Sequence, residues 1–266
     1  MDCRKWIERF SIDCRIKYGS LSTQKNYKSC VTKFLYFFEK YREPKEIPTE
    51  EIKKYLLTYE TFDTRKHNLC AINSFYRLTV GMPLKTGKIP FPPKEKKLPR
   101  ILELDLVREK ILSIGNKKHK AILAIGLCCA LRVSETCNLK VNDILFSRLL
   151  ISIRMAKGRK DRHTGISERC LEILREYIQE YNPLDYLFEG QCGGRYSERS
   201  CEAIYHKYID EETAYHTLRH ISITNMVEND KNILAIGVAV GHTRPSTTQA
   251  YYHISPKFLT SLPTAI

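Results

Sequence analysis

Residues 81–100, GMPLKTGKIPFPPKEKKLPR, set the strongest limit on how this chain folds. They hold five prolines and two glycines, with six basic side chains against one acid. Proline lacks the backbone N–H of a helix and clashes with the preceding turn. The stretch therefore reads as an extended linker that cannot be helical, and it divides the 266 residues in two. A basic connector of this kind suits two domains that close around a rod-shaped polyanion. A plain spacer is the simpler reading.

Helical periodicity dominates on both sides. Before the linker, Ser22 is placed to cap a helix carrying Tyr27, Val31, Phe34, Leu35 and Phe38. Thr49 precedes Glu50 and Glu51, acids suited to a helix's first turn. Residues 64–80 put Leu69, Ile72, Phe75 and Tyr76 on one face, with Arg65, Lys66, Asn73 and Arg77 free to meet a phosphate backbone or simply water. After the linker, residues 104–114 and 121–139 predict helices. Residues 143–154 and 162–167 predict short strands around the charged turn AKGRKD. Helices are then predicted over 168–181, 197–209, 216–229 and 231–240, and a last one from Pro245. The expected fold class is mainly α (α+β). A helical bundle spans 1–82, a linker spans 83–100, and a mostly helical domain with a small antiparallel sheet spans 101–266.

Charge sharpens this picture. The chain has 44 Lys and Arg against 30 Asp and Glu. Residues 1–100 carry 22 basic and 11 acidic side chains, so most of the excess lies there. A regional basic excess points to a polyanion, most simply nucleic acid, with a merely soluble basic protein as the alternative. No run of about 18 apolar residues predicts a membrane span, and residues 1–15 have no apolar signal core. Ten cysteines fall without CxxC pairs or His/Cys metal spacing, and read as buried free thiols of a reducing compartment.

Three fragments carry chemistry. In Ala130-Leu131-Arg132-Val133-Ser134-Glu135, Arg132 offers a two-pronged donor to a phosphate, and Glu135 is placed to hold it from behind. An ordinary helical ion pair is the plain reading. In His216-Thr217-Leu218-Arg219-His220, His216 and Arg219 stand one turn apart on one face. Gly241-His242 forms a turn before Pro245, and Tyr251 follows nine residues after His242. Each fragment alone is common.

Together, Arg132, Lys157, His216, Arg219, His242 and Tyr251 resemble, in order and spacing, the tyrosine recombinase or phage-integrase family, which includes integrases and Xer-like resolving enzymes. The resemblance is carried by ALRVSETCNLKVNDI, AKGRKDR, HTLRH and VGHTRPSTTQAYYH, over residues 100–254. Residues 1–82 resemble the family's SAM-like core-binding bundle in architecture only. The chain departs from the family pattern at HTLRHISIT, at HTGIS after the charged turn, and at Arg244-Pro245. None of these departures removes a candidate side chain.

The resemblance implies a site-specific DNA recombinase, either a mobile-element integrase or a chromosome-dimer resolvase, that cuts and rejoins strands through a 3′-phosphotyrosine without metal, ATP or any cofactor. Tyr251 is the nucleophile, with Tyr252 as runner-up. Arg132 and Arg219 clamp the oxygens where charge grows, and His242 adds a hydrogen bond. His216 takes the tyrosine proton or shares that contact. Lys157 protonates the leaving 5′-oxygen, with Lys160 as runner-up. Arg65, Lys66, Arg77, Lys94, Lys96 and Lys97 are candidate DNA contacts. The implied partners are a double-stranded recombination site, a dimer on that site, a tetramer in synapsis and a directionality factor, in the cytoplasm and on the nucleoid. No carboxylate cluster suits two metal ions, and no GxxxxGK[ST] is present. A type IB topoisomerase-like relaxer and a catalytically silent DNA-binding regulator are the rival readings.

Overall fold

A computed structural model describes residues 1–87, 89–90, 102–154, 161–191, 193–229, 232–242 and 244–251. The chain forms two compact units, Met1–Lys97 and Leu98–Ile266. Among the described residues no helix is long and apolar enough to cross a membrane.

The first unit is a helical bundle. Helix α1 (Cys3–Lys17) is capped by Asp2, whose carboxylate accepts the Lys5 N–H. Helix α2 (Leu21–Phe37) starts two residues earlier than predicted. Ser20, not Ser22, is its cap, and the Ser20 hydroxyl accepts the Thr23 N–H. Thr49 opens α3 (Thr49–Leu57) from inside the helix, and Thr61 caps α4 (Phe62–Phe75). A π-helical turn, Tyr76–Val80, follows α4. Aromatic rings tie the bundle together: Phe10 meets Phe75 edge-on at 5.6 Å, and Phe34 meets Tyr55 at 5.5 Å.

The expected non-helical linker is corrected at its start, while residues 88 and 91–100 lie outside the described residues. Leu84–Gly87 forms a helical turn, α5. Gly81, at φ +79°, reverses the chain, and the Met82 N–H returns to the Tyr76 carbonyl at 2.8 Å. The Thr49 hydroxyl then donates to the Lys85 carbonyl, so this segment folds back onto the bundle. Prolines at 83 and 90 flank the turn without interrupting it.

The second unit is built around α7 (Lys117–Cys128), which buries Ala121 to Leu127 on all sides. It packs against α6 (Leu104–Leu112), α9 (Glu168–Tyr181), α10 (Glu198–Tyr208) and α11 (His216–Glu228). The single helix predicted over 121–139 is two helices, α7 and α8 (Val133–Asn138). Ala130 breaks them apart with a left-handed φ of +50°. The sheet has three antiparallel strands rather than two, in the order β1 (Ile144–Leu145), β2 (Leu150–Ile153), β3 (Arg162–Gly165). Its register pairs Ile151 with Thr164 and Ile153 with Arg162. Ile151 and Ile153 point into the core, and Arg162 is the first residue of β3. Helices α12 (Ile233–Val240) and α13 (Pro245–Gln249) complete the described chain.

One contact fixes where α11 begins. The Tyr215 hydroxyl donates to the Ile122 carbonyl at 2.9 Å and meets the Thr136 hydroxyl at 3.1 Å. Only a glycine at 126 allows this approach, because a Cβ there would stand 2.3 Å from that hydroxyl. Gly126→Ala is expected to lower stability by roughly 1–3 kcal/mol through overpacking. Adding Tyr215→Phe, which removes the clashing oxygen, should recover part of the loss in thermal melts followed by circular dichroism.

Candidate active site

The site begins with a carboxylate inside the protein. Glu135, 7% exposed on α8, accepts two guanidiniums and a backbone amide. Arg132 Nη1 donates to Oε1 at 2.6 Å and the Arg132 N–H to Oε2 at 2.9 Å. Arg162 adds a two-pronged contact, Nη1 to Oε1 at 2.9 Å and Nη2 to Oε2 at 2.8 Å. Burial alone would raise the Glu135 pKa, but the hydrogen bonds and charges of Arg162 and Arg132 outweigh it and lower it to about 2. Both arginines also reach the end of α12. Arg132 Nη2 donates to the Gly241 carbonyl at 3.2 Å, and Arg162 Nε to that of Ala239 at 3.0 Å. Gly241 has φ +68°, and a Cβ there would lie 3.1 Å from Arg162 Nη1.

Arg219, on α11, is 1% exposed. Its Nη1 donates to the Ala130 carbonyl and its Nη2 to the Val240 carbonyl, each at 2.6 Å. The left-handed turn at Ala130 aims that carbonyl at α11. Burial, then repulsion from Arg132, lowers the Arg219 pKa to about 10. It remains a cation at neutral pH. Among the described residues, two guanidiniums thus meet on one carboxylate and a third, Arg219, is held nearby by backbone carbonyls, leaving an excess of positive charge in a half-dry place.

Tyr251, 6% exposed, lies just after α13. Its hydroxyl is 2.8 Å from Nδ1 of His220. His220 sits one turn after His216, and the two rings meet edge to face at 4.6 Å. The His242 ring stacks on Tyr251 at 6.2 Å and 18°, and its Nδ1 is 2.8 Å from the Thr248 hydroxyl. Burial, then neighbouring cations, lowers the pKa of His216 and His242 to about 4 and lowers that of His220. Burial raises the Tyr251 phenol, while Arg219 and Arg132 pull it back.

The structure therefore brings Arg132, His216, Arg219, His242, Tyr251 and Glu135 into one neighbourhood. Lys157, Lys160 and Tyr252 lie outside the described residues, as do Lys94, Lys96 and Lys97. In the first unit, Arg77 and Lys66 are exposed, whereas Arg65 directs Nε and Nη2 at the carbonyls of Tyr59 and Glu60. Arg65 thus anchors the loop entering α4 with two of its donors.

Sequence reasoning passed over three residues. His220 carried a signal, its i, i+4 spacing from His216. Arg162 showed only as a strand residue after a charged turn. Thr248 stands three residues before Tyr251 and is fully buried beneath His242.

These charges set an acid response. Glu135 is depressed from 4.5 to about 2, so its stabilisation is complete above about 4.5 and is lost as pH falls through 2. His216 and His242 are depressed from 6.5 to about 4, so the unfolded chain takes up their protons first and stability falls between those values. Melting temperature from pH 8 to pH 2.5 should decline over both windows. Glu135→Gln should flatten the lower decline and His242→Gln the upper.

The phage integrase family model matches residues 97–257, and that of the phage integrase N-terminal SAM-like domain matches residues 6–86. Tyrosine recombinase XerA of Thermococcus onnurineus is 34% identical over 215 residues, covering 76% of this chain and 76% of that protein. Tyrosine recombinase XerA of Pyrococcus horikoshii is 30% identical over 244 residues, covering 87% and 85%. A crystal structure of XerA recombinase aligns over 97% of this chain and 96% of its own, at 25% identity and a TM-score of 0.56. A lambda integrase dimer bound to a COC′ core site shares the fold, with a TM-score of 0.74 at 14% identity over 93% and 94% of the two chains. With an integrase model matched over more than half of its length and relatives this similar, the chain belongs to the phage integrase, or tyrosine recombinase, family.

Proposed function

We propose that this protein is a site-specific DNA recombinase that cuts and rejoins strands through Tyr251. The observation that carries the reading is a buried phenol in the neighbourhood of three guanidiniums, two of which share one carboxylate while the third is held by backbone carbonyls. Such an excess of donors is suited to an anion with several oxygens, and a phosphodiester supplies two non-bridging ones. Its relatives named as tyrosine recombinases support the same chemistry.

In the proposed reaction the Tyr251 oxygen attacks the scissile phosphorus and the 5′-oxygen leaves, giving a 3′-phosphotyrosine. Arg132 and Arg219 hold the non-bridging oxygens, where negative charge grows in the transition state. Their present partners, the carbonyls of Gly241, Ala130 and Val240, hold the guanidiniums in place from behind. His216 and His242 are neutral and each has a ring N–H to offer the same oxygens. Lys157 is assigned the proton for the leaving 5′-oxygen. Glu135 and Arg162 position the clamp without touching DNA. The bond energy is stored in the aryl phosphodiester, so a second 5′-hydroxyl can reverse the attack and rejoin the strands without ATP.

The assembly is proposed as two protomers on the inverted arms of one duplex site, with two such pairs in synapsis and a directionality factor as accessory. The basic side chains of residues 1–100 supply sequence-independent phosphate contacts, including Lys66, Arg77, Lys94, Lys96 and Lys97, so affinity should fall steeply with salt.

Nicked suicide duplexes tiled across the DNA flanking the gene test the reading in excess EDTA. The wild type should form a denaturant-resistant covalent adduct on a defined duplex, and Tyr251→Phe should form none. Arg132→Ala and Arg219→Ala should slow adduct formation by roughly 10²–10³-fold or more. Adducts that persist in Tyr251→Phe, or that require metal, would overturn the mechanism. Relaxation of any supercoiled plasmid without site preference would instead mark a topoisomerase-like activity.

A further inference from the structure

His220 and His242 contact Tyr251, His216 contacts His220, and the three geometries differ. The His242 ring lies nearly parallel to the phenol, at 18° and 6.2 Å between centroids, a ring-on-ring contact rather than a hydrogen bond to the hydroxyl. Its Nδ1 is also occupied by the Thr248 hydroxyl, at 2.8 Å. His216 meets the edge of His220 rather than Tyr251, with the two ring planes at 84°. His220 alone among the three has a hydrogen bond to the Tyr251 oxygen, at 2.8 Å through Nδ1. A proton acceptor must stand within hydrogen-bond reach of the proton it takes.

We propose that His220, rather than His216, is the catalytic residue that accepts the Tyr251 proton. The assignment rests on the reading of Tyr251 as nucleophile. In it His220 is the neutral ring with its proton on Nε2, and Nδ1 accepts the phenol O–H. As the Tyr251 oxygen forms its bond to phosphorus, the O–H bond breaks and its proton passes to Nδ1, giving an imidazolium. The phosphorus–O5′ bond breaks, and the 5′-oxygen takes a proton from the lysine assigned to that task. In rejoining, the incoming 5′-hydroxyl loses its proton to that lysine, and the departing tyrosine oxygen recovers its own from His220.

The surroundings explain when this base works. Burial and the adjacent Arg219 disfavour an imidazolium in the free protein. A phosphodiester seated on Arg219 and Arg132 brings a negative charge that offsets the guanidiniums. Proton uptake by His220 is thereby tied to the presence of DNA. His216, on the same helix face as Arg219, is released to donate to a phosphate oxygen.

The experiment measures adduct formation on the nicked suicide duplexes, using full-length protein with Tyr251 replaced by 3,5-difluorotyrosine, whose phenol is more acidic. His220→Asn keeps a hydrogen-bond acceptor near the Nδ1 position but cannot hold the proton. It should slow adduct formation by roughly 10²–10⁴-fold, the span of general-base contributions. Difluorotyrosine should restore at least tenfold of that loss. His216→Asn should also be slow, yet gain nothing from the fluorinated nucleophile. His220→Gln provides a second variant if the asparagine melts early. A wild-type rate in folded His220→Asn or His220→Gln, or fluorotyrosine rescue confined to His216→Asn, overturns the assignment while leaving the recombinase reading intact. A wild type that forms no adduct on any duplex overturns both.

Discussion

A carboxylate inside a protein is unfavourable unless charge and hydrogen bonds compensate it, and Glu135 is compensated from two sides. Arg132 and Arg162 each place N–H groups on it, and the Arg132 amide adds a third contact. Removal of either guanidinium would leave the other to balance a desolvated charge, a change that typically costs about 3–5 kcal/mol in buried pairs. This one carboxylate joins parts of the chain that are distant in sequence: α8, the first residue of β3 and, through the same arginines, the end of α12. Arg219 extends the frame by joining α11 to the Ala130 turn and to Val240. The strained φ at Ala130 is tolerated because its carbonyl has a charged, buried partner.

The frame leaves charge unbalanced on purpose-shaped ground. Three guanidiniums with one carboxylate among them would be self-repelling without the carbonyl dipoles that hold each of them. Burial, with the same excess adding to it, keeps His216, His220 and His242 neutral near pH 7. Neutral imidazoles each combine a donor with an acceptor. A site of fixed cations and neutral rings can therefore receive a phosphate, donate to it and accept a proton beside it, whereas three imidazoliums could only donate. Burial of the Tyr251 phenol fits this arrangement: it keeps the hydroxyl protonated until a nearby acceptor takes the proton.

Much of this was legible in the residues, and the exceptions have physical causes. Helix α9 was readable to its ends because its apolar positions recur regularly, Ser167 caps it and Asn182 closes it in a left-handed turn. The break between α7 and α8 was hidden, since Ala130 is a strong helix former held left-handed by the Arg219 contact, a tertiary effect. The return of Leu84–Gly87 onto the bundle was hidden for a similar reason: it depends on Gly81 and on Thr49, far upstream. Arg132, Arg219 and Tyr251 stood out through order and spacing. Arg162 did not, because its partner Glu135 is 27 residues away and only the sheet register brings them together. His220 was visible as an i, i+4 neighbour of His216, but which of the two rings meets Tyr251 depends on the placement of α13.

All described members of the site lie in the second unit, between the core around α7 and a smaller apolar cluster that includes Ala130, Val240 and Tyr251. Their geometry rests on Tyr215 against Gly126, on Glu135 between its arginines and on the glycine turn at 241, none of which draws on the first unit. The first hundred residues instead carry twice as many basic as acidic side chains. Charge spread over a surface acts at long range, is screened by salt and attracts any duplex alike. Charge concentrated in the site is desolvated, acts over a few ångströms and responds only to a phosphate already in place. On the proposed function, the chain separates capture from chemistry along its length: the buried arginines act at fixed positions, and the basic residues of the first hundred attract DNA without needing fixed ones.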